Sequence, residues 1–406
     1  MENSFSTVKL SSVAKIIMGQ SPPGTTYNEV GEGLPFYQGV VDFGPRYPSR
    51  RVYCTAPSRI ADGGDILFSV RAPIGRVNIA TERCCVGRGL SIIKPNNPFD
   101  RVFIEFVLRA MPTMWDIFEG GGSVFGNAKK DDLQSLEIIW PQKEERGFIA
   151  SILGALDDKI ELNRQMNKTL ESMAQAVFKS WFVDFEPFTG QGMQDSQVGP
   201  IPVGWEALKS SQAIIINPPR RLERGIDATY VDMASLPTLS ARVTNIATRA
   251  YTGSGSRFQQ EDTLFARITP CLENGKTAIV DFLTDGEVGW GSTEFIVLGP
   301  KQPVGMYYIY CLARNPDFRA HAIQAMSGTS GRQRVDSKCF DYYYLAIPPQ
   351  EIMQKFQETV CPWFEMLKTN DEESQTLAEI RDTLLPKLLS GELRLGDAEK
   401  FIEEAA

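Results

Sequence analysis

Between Lys143 and Phe185 the apolar positions fall at alternating intervals of four and three. They run Ile149, Leu153, Leu156 and Ile160, pass through Asn163 and Asn167, and continue as Leu170, Ala174, Val177 and Trp181. That spacing is the seam of a helix packed along another helix. At about 1.5 Å per residue the helix would run roughly 55 Å or more. The pattern returns 207 positions later, in phase, as Phe356, Val360, Trp363, Leu367, Asn370, Ser374, Leu377, Arg381, Leu384 and Leu388. The shared phase predicts that Leu153, Leu156, Ile160, Asn163, Leu170, Val177 and Trp181 pair with Val360, Trp363, Leu367, Asn370, Leu377, Leu384 and Leu388. The asparagines at one seam position would fix the register at some cost in stability.

The segments before each helix also correspond. "GGDILFSVRAPIG", with Asp65, Leu67, Phe68 and Pro73, aligns at an offset of 197 with "QEDTLFARITPCL", with Asp262, Leu264, Phe265 and Pro270. Both read as a buried strand leading into a basic turn. Ile139, Pro141 and Gln142 fall on Ile347, Pro349 and Gln350, and Phe5, Val8, Lys9 and Ser11 fall on Trp205, Leu208, Lys209 and Ser211. The chain thus reads as a duplicated α/β unit. A first domain spans 1–142, a helix 143–188, an exposed linker rich in Gly, Pro and Gln 189–204, a second domain 205–348, a second helix 349–392, and an acidic tail 393–406.

Charge changes this picture only by region. The net charge of −8 lies mostly in residues 349–406, which carry −7, whereas 1–142 and 191–348 stand at +1 and 0. Arginine dominates the basic residues of both domains, and it suits bidentate contacts with guanine and phosphate. Near-neutral domains can bind DNA when their arginines share a face. Seven cysteines without CxxC spacing read as reduced, packed thiols, and a structural zinc is not expected. A single histidine, His321, argues against mechanisms built on histidine pairs. No apolar run reaches membrane-spanning length and the start lacks an export signal, so a cytoplasmic protein is expected.

Two fragments suggest an adenine methyltransferase: "INPPR" around Asn217 to Arg220, and "FEGGG" at Phe118 to Gly122. Each is one member of a repeated loop, since Gly120 falls on Gly328 and Asn-Pro-Pro falls beside "MGQSPPG" at Met18 to Gly24. Arg220 also stands where an aromatic residue would stack on a flipped base. A single-chain methyltransferase, or a coiled-coil scaffold that binds no DNA, are the competing readings.

The residues that decide among them are "LDDKIELNRQMNKTLESMAQAVFKSWFVDF", "MGQSPPG", "DTLFARITPCLENGKTA", "GSTEFIV" and "IRDTLLPKLLSGEL". Together they resemble the specificity subunits of type I restriction–modification systems over nearly the whole chain. The resemblance implies two homologous target-recognition domains separated by two long antiparallel coiled-coil helices, a pseudo-two-fold repeat. It also implies a non-catalytic chain without cofactor or metal, whose domains each read half of a bipartite duplex DNA target. Two modification (methyltransferase) subunits would bind it, and restriction subunits would join through the complex.

Candidate DNA contacts are basic or polar loop residues. In the first domain they are Gln20, Ser21, Tyr27, Arg46, Arg50, Arg51, Arg71, Arg76, Asn127, Lys129 and Lys130. In the second they are Arg220, Arg221, Arg224, Arg257, Arg267, Lys276, Arg332, Gln333 and Arg334. Adjacent arginines such as Arg50 and Arg51 cannot both face one surface of a strand, so this set is larger than the true one.

Overall fold

The computed structural model describes residues 5–111, 127–329 and 331–393. It divides into two compact units, one of residues 1–162 with 373–406 and one of residues 163–372. Each long helix is shared between the units.

In the first unit the entry strand Ser6–Lys9 pairs antiparallel with Glu137–Trp140. A four-stranded antiparallel sheet follows in the order Ala14–Met18, Leu90–Pro95, Ile66–Ser69, Val77–Ile79. The run Ile66–Ser69 is buried at every position, which suits a short, continuously apolar strand covered on both faces. It is launched by a turn in which Asp65 accepts from Asp62 N at 2.8 Å. A second sheet is built round the parallel pair Leu34–Tyr37 and Cys84–Val86. The helix Arg101–Arg109 buries Phe103, Ile104, Phe106, Val107 and Leu108.

The second unit repeats this plan. Glu206–Lys209 pairs with Tyr344–Ile347, placing Glu206 opposite Ile347 as Ser6 lies opposite Trp140. The four-stranded order is Ile215–Ile216, Phe295–Gly299, Thr263–Ala266, Thr277–Ile279. Its launching turn is the same, with Asp262 accepting from Gln259 N at 2.8 Å. The parallel pair is Asp227–Val231 with Gly289–Gly291, and the buried helix is Met306–Arg314. With the entry strands matched at an offset of 200, Trp140 falls on Ile347, so the closing strands match at 207, one residue away from the sequence alignment of Ile139 with Ile347.

The long helices are Lys143–Phe182 and Gln350–Ser390. The first stops at Phe182, short of residue 188, and after a break the chain resumes as a separate 3-10 turn, Glu186–Gln191, with Pro187 in its first turn, where proline's missing N–H costs nothing. Phe185 there turns left-handed, at φ 56°. The second ends at Gly391, whose φ of 75° is the usual helix stop. Residues 189–204 are more than an exposed connection: Met193–Gln194 pairs with Ile201–Pro202, and Phe188 and Ile201 are buried. Apolar side chains in a short linker seek cover, and these two join the core of the second unit.

Within each unit the helix segments run antiparallel. In the first, Asp157 meets Arg381 and Lys159 meets Glu373. In the second, Asn163 donates to Asn370 O, Asn370 to Asn167 Oδ1, and Asn167 to Leu367 O and to Asp371. These asparagines form a buried polar layer. Of the predicted seam, Leu153, Leu156, Ile160, Val360, Leu367, Leu384 and Leu388 are buried, and Leu170, Val177, Trp181, Trp363 and Leu377 are half-buried. Phe178, Phe182, Phe364 and Ile380, outside the seam, are buried as well, because each helix segment also packs against its recognition domain.

Candidate nucleic-acid interface

The end of the central strand Ile66–Ser69 carries the densest set of candidates in the first unit. Val70 N donates to Gly89 O, Ala128 N donates to Val70 O, and Arg71 is bridged to Asn127. The opening loop reaches the same turn, with Gly19 N bonded to Leu90 O and Gln20 N to Val86 O. Ser21 Oγ accepts from Arg88 N at 3.3 Å. Backbone bonds thus gather Gln20, Ser21, Arg71 and Asn127 around one turn. Arg88, exposed in that turn, was not among the sequence candidates.

The second unit builds the same ladder. Arg267 N donates to Glu294 O, Val335 N to Arg267 O, and Thr269 N to Gln333 O, while Ile268 is bridged to Arg334. Arg334 therefore occupies the place of Asn127, Ile268 that of Arg71, and Glu294 that of Gly89. The Arg334 guanidinium forks onto Glu294, with Nε 2.9 Å from both carboxylate oxygens and Nη2 2.7 Å from Oε1. The carboxylate holds the Arg334 charge firmly, raising its pKa. Sequence reasoning missed Glu294 because its partner lies 40 residues away.

Other candidates divide by what their side chains already hold. Arg71, Arg76, Arg221, Arg224, Arg257 and Arg332 have no ion pair among the described residues. Lys129 and Lys130 are exposed at the start of the helix Lys130–Ser135. Others are turned inward and need correction as open contacts. Arg46 is buried and bonded at 2.6 Å to Asp158 of the first long helix. Burial works against its charge, and the Asp158 bond outweighs it, so its pKa rises. Arg220 donates to both oxygens of Asp262, which is fully buried. Lys276 donates to the carbonyls of Met233 and Ala234. Arg50 and Arg51 differ from these in staying exposed, although each is already paired, with Glu82 and Asp42 respectively. Tyr27 donates to Pro22 O and lays its ring 4.7 Å from Phe36, closing a small apolar cluster.

The methyltransferase fragments fare differently. Asn217 sits at φ 51°, donating from its backbone to Val297 O at 2.7 Å and accepting from Val297 N at 3.0 Å. Its side chain is thus consumed in closing a sheet edge. The "FEGGG" stretch lies outside the described residues. Among those residues no cluster of His, Cys, Asp or Glu is arranged to hold a metal, and no helix is long and apolar enough to cross a membrane. All seven cysteines are unpaired, and burial pushes the Cys84 and Cys339 thiols up to about 12.

Comparison with known proteins adds to this geometry. The family described as the type I restriction modification DNA specificity domain matches residues 2–172. The type I restriction enzyme MjaIX specificity subunit of Methanocaldococcus jannaschii is 28% identical, covering 93% of this chain and 91% of its own. The HindI specificity subunit of Haemophilus influenzae is 27% identical, covering 81% and 86%. Among solved structures, the S subunit of the type I restriction–modification system from M. genitalium is similar in fold, at a TM-score of 0.57 and 15% identity over 96% of this chain and 97% of that one.

Proposed function

The chain belongs to the specificity subunits of type I restriction–modification systems, and from that premise we propose that each of its units reads one half of a bipartite duplex DNA target. As a specificity subunit it is non-catalytic. The observation that carries the reading is the repeated ladder, in which Arg71 and Asn127 in one unit, and Arg267, Gln333 and Arg334 in the other, are gathered at the end of the same central strand. Phosphate contacts from such residues position a protein, and contacts to base edges specify the sequence. Since the ladder is shared and its side chains differ, the two units would read different bases within one frame.

In this reading the paired helices act as a ruler that sets the gap between half-sites, and they offer two repeat-equivalent docking faces for two modification subunits. Methyl transfer would belong to those subunits and cleavage to restriction subunits joined through the complex. All would act in the cytoplasm, where the DNA is. A methyltransferase function for this chain alone is not favoured, since Asn217 closes a sheet edge and Arg220 neutralises Asp262.

The test is duplex binding by the complex of this chain with its modification subunits, measured against salt. Phosphate contacts release counterions, so binding should fall steeply with salt and be tightest for a duplex carrying both half-sites at one spacing. Equal affinity for single-half and two-half duplexes would contradict the proposal.

A further inference from the structure

The second sheet of the second unit has a face for which the sequence reading named only Arg257. Cross-strand register defines it. Arg257 lies opposite Trp290, Trp290 opposite Tyr230, and Arg249 opposite Ala228. Paired residues point to one side of a sheet and alternate residues share a face, so Arg249, Tyr230, Trp290 and Arg257 lie together. Val231 and Phe258 point the other way, into a hydrophobic core.

On this face Arg249 is exposed, and its guanidinium lies 4.2 Å from the centre of the Tyr230 ring. Tyr230 rests against Trp290 at 4.5 Å, and Trp290 rests against Tyr251 at 5.3 Å. The Trp290 indole donates to Arg249 O at 3.2 Å, so one tryptophan supports both the ring beneath the guanidinium and the backbone that carries it. The side chains of Arg249 and Arg257 take no hydrogen bond or ion pair with any described residue. Both guanidiniums keep their donors for something else.

The fold does not require arginine here. The same positions in the first unit are Phe36, Cys85, Ile60 and Cys54, by the equivalent pairings of Leu34–Tyr37 with its neighbours. There Phe36, Cys54 and Cys85 form an apolar cluster with Tyr27 against it. One unit seals this face with its own opening loop, and the other leaves it open and cationic.

We propose that this face is part of the DNA-reading surface of the second unit, and that Arg249 is a specificity-determining residue that recognises a guanine. The inference rests on the function proposed above. A guanidinium stacked on an aromatic ring keeps its in-plane N–H fork directed outward, and that fork matches the O6 and N7 acceptors of guanine. Phosphate oxygens would accept the same donors. The base edge is favoured because ring and backbone bond together fix the direction of the fork, and direction is what a base contact needs.

The experiment uses the assembled complex with Arg249→Ala and Arg249→Lys, mapping methylated sites and measuring duplex binding against salt. Both variants should lose preference at one guanine of one half-site, by roughly ten- to a hundred-fold, and leave the other half-site unchanged. Lysine keeps the charge and loses the fork, so it should not rescue. Rescue by lysine, with alanine weakening all sequences alike and lowering the salt slope by about one unit, would mean a phosphate contact and overturn the assignment. Unchanged binding and mapping in both variants would also overturn it. Because Arg249 is exposed, melting of both variants should match the parent, and Tyr230→Leu offers an independent check by removing the ring, with the same loss expected at the same base. A parent complex with no two-part preference would instead overturn the proposed function, and this inference with it.

Discussion

Asp157→Asn should destabilise the first unit sharply at neutral pH. Asp157 is 4% exposed and shares its carboxylate between Arg109 of the recognition domain and Arg381 of the second long helix, the latter at 2.6 Å. The amide keeps the volume and removes the charge. Breaking a buried pair costs about 3–5 kcal/mol, because the remaining charges stay desolvated. Arg109 and Arg381 retain partial exposure, at 27% and 15%, so some water can reach them. The lower end, about 3 kcal/mol, is therefore expected, which for a unit of roughly 200 residues lowers Tm by about 6–12 °C. Calorimetry with hydrogen exchange of first-unit amides would assign the loss to that unit. Its pH dependence is a second check. Desolvation acts to raise the Asp157 pKa, but Arg109 and Arg381 outweigh it, and the net shift is downward from 3.8. A depressed carboxylate stabilises the fold above its unfolded pKa and ceases to as pH falls through the folded value. The gap between parent and variant should therefore be full well above pH 3.8, narrow as pH falls below it, and vanish only below the depressed folded value. A loss under about 1 kcal/mol at pH 7, or an equal loss when Arg381 is already methionine, would refute the role assigned to this pair.

Other outcomes follow from the same packing. Leu384→Ala removes a fully buried side chain between helix and domain and should cost about 2–5 kcal/mol by denaturant unfolding. Glu171 behaves oppositely to Asp157: burial raises its pKa above 4.5, and the Tyr310 hydroxyl and Arg314 offset this only in part. Its stabilising contribution is full below pH 4.5 and is lost as pH rises through the folded value, so Glu171→Gln should gain stability relative to the parent as pH rises, read from the second-unit melting transition. Changing Arg71 and Arg76 together should alter one half of the methylated sequence, and changing Arg332 and Arg334 only the other half, as read by mapping methylated bases.

The duplication was legible in the sequence because helix phase and strand motifs share offsets near 200, and the register of Ser6–Lys9 and Glu206–Lys209 follows them. The parallel pairs were not. Leu34–Tyr37 and Cys84–Val86 are too short to show a period, and their pairing is a long-range matter. The seam identified the helix pair but understated its burial, since a segment such as Phe178 to Phe182 packs against Tyr308 and Trp205 as well as Phe356. Arginines were the least legible. Whether one faces solvent or an internal carboxylate depends on partners far along the chain, as with Arg46 and Asp158, 112 residues apart, or Arg381 and Asp157, 224 apart.

Two independent readers set apart by a helical ruler can be tested by lengthening the ruler. One heptad would be inserted after Asn167 and one after Leu367, which face each other through the bond from Asn167 to Leu367 O. The seam and the asparagine layer are kept, and each helix gains about 10.5 Å, roughly three base pairs of duplex. Mapping the bases methylated by the assembled complex should return both half-sites unchanged with a gap longer by about three base pairs. The same gap with altered half-site bases would contradict the account.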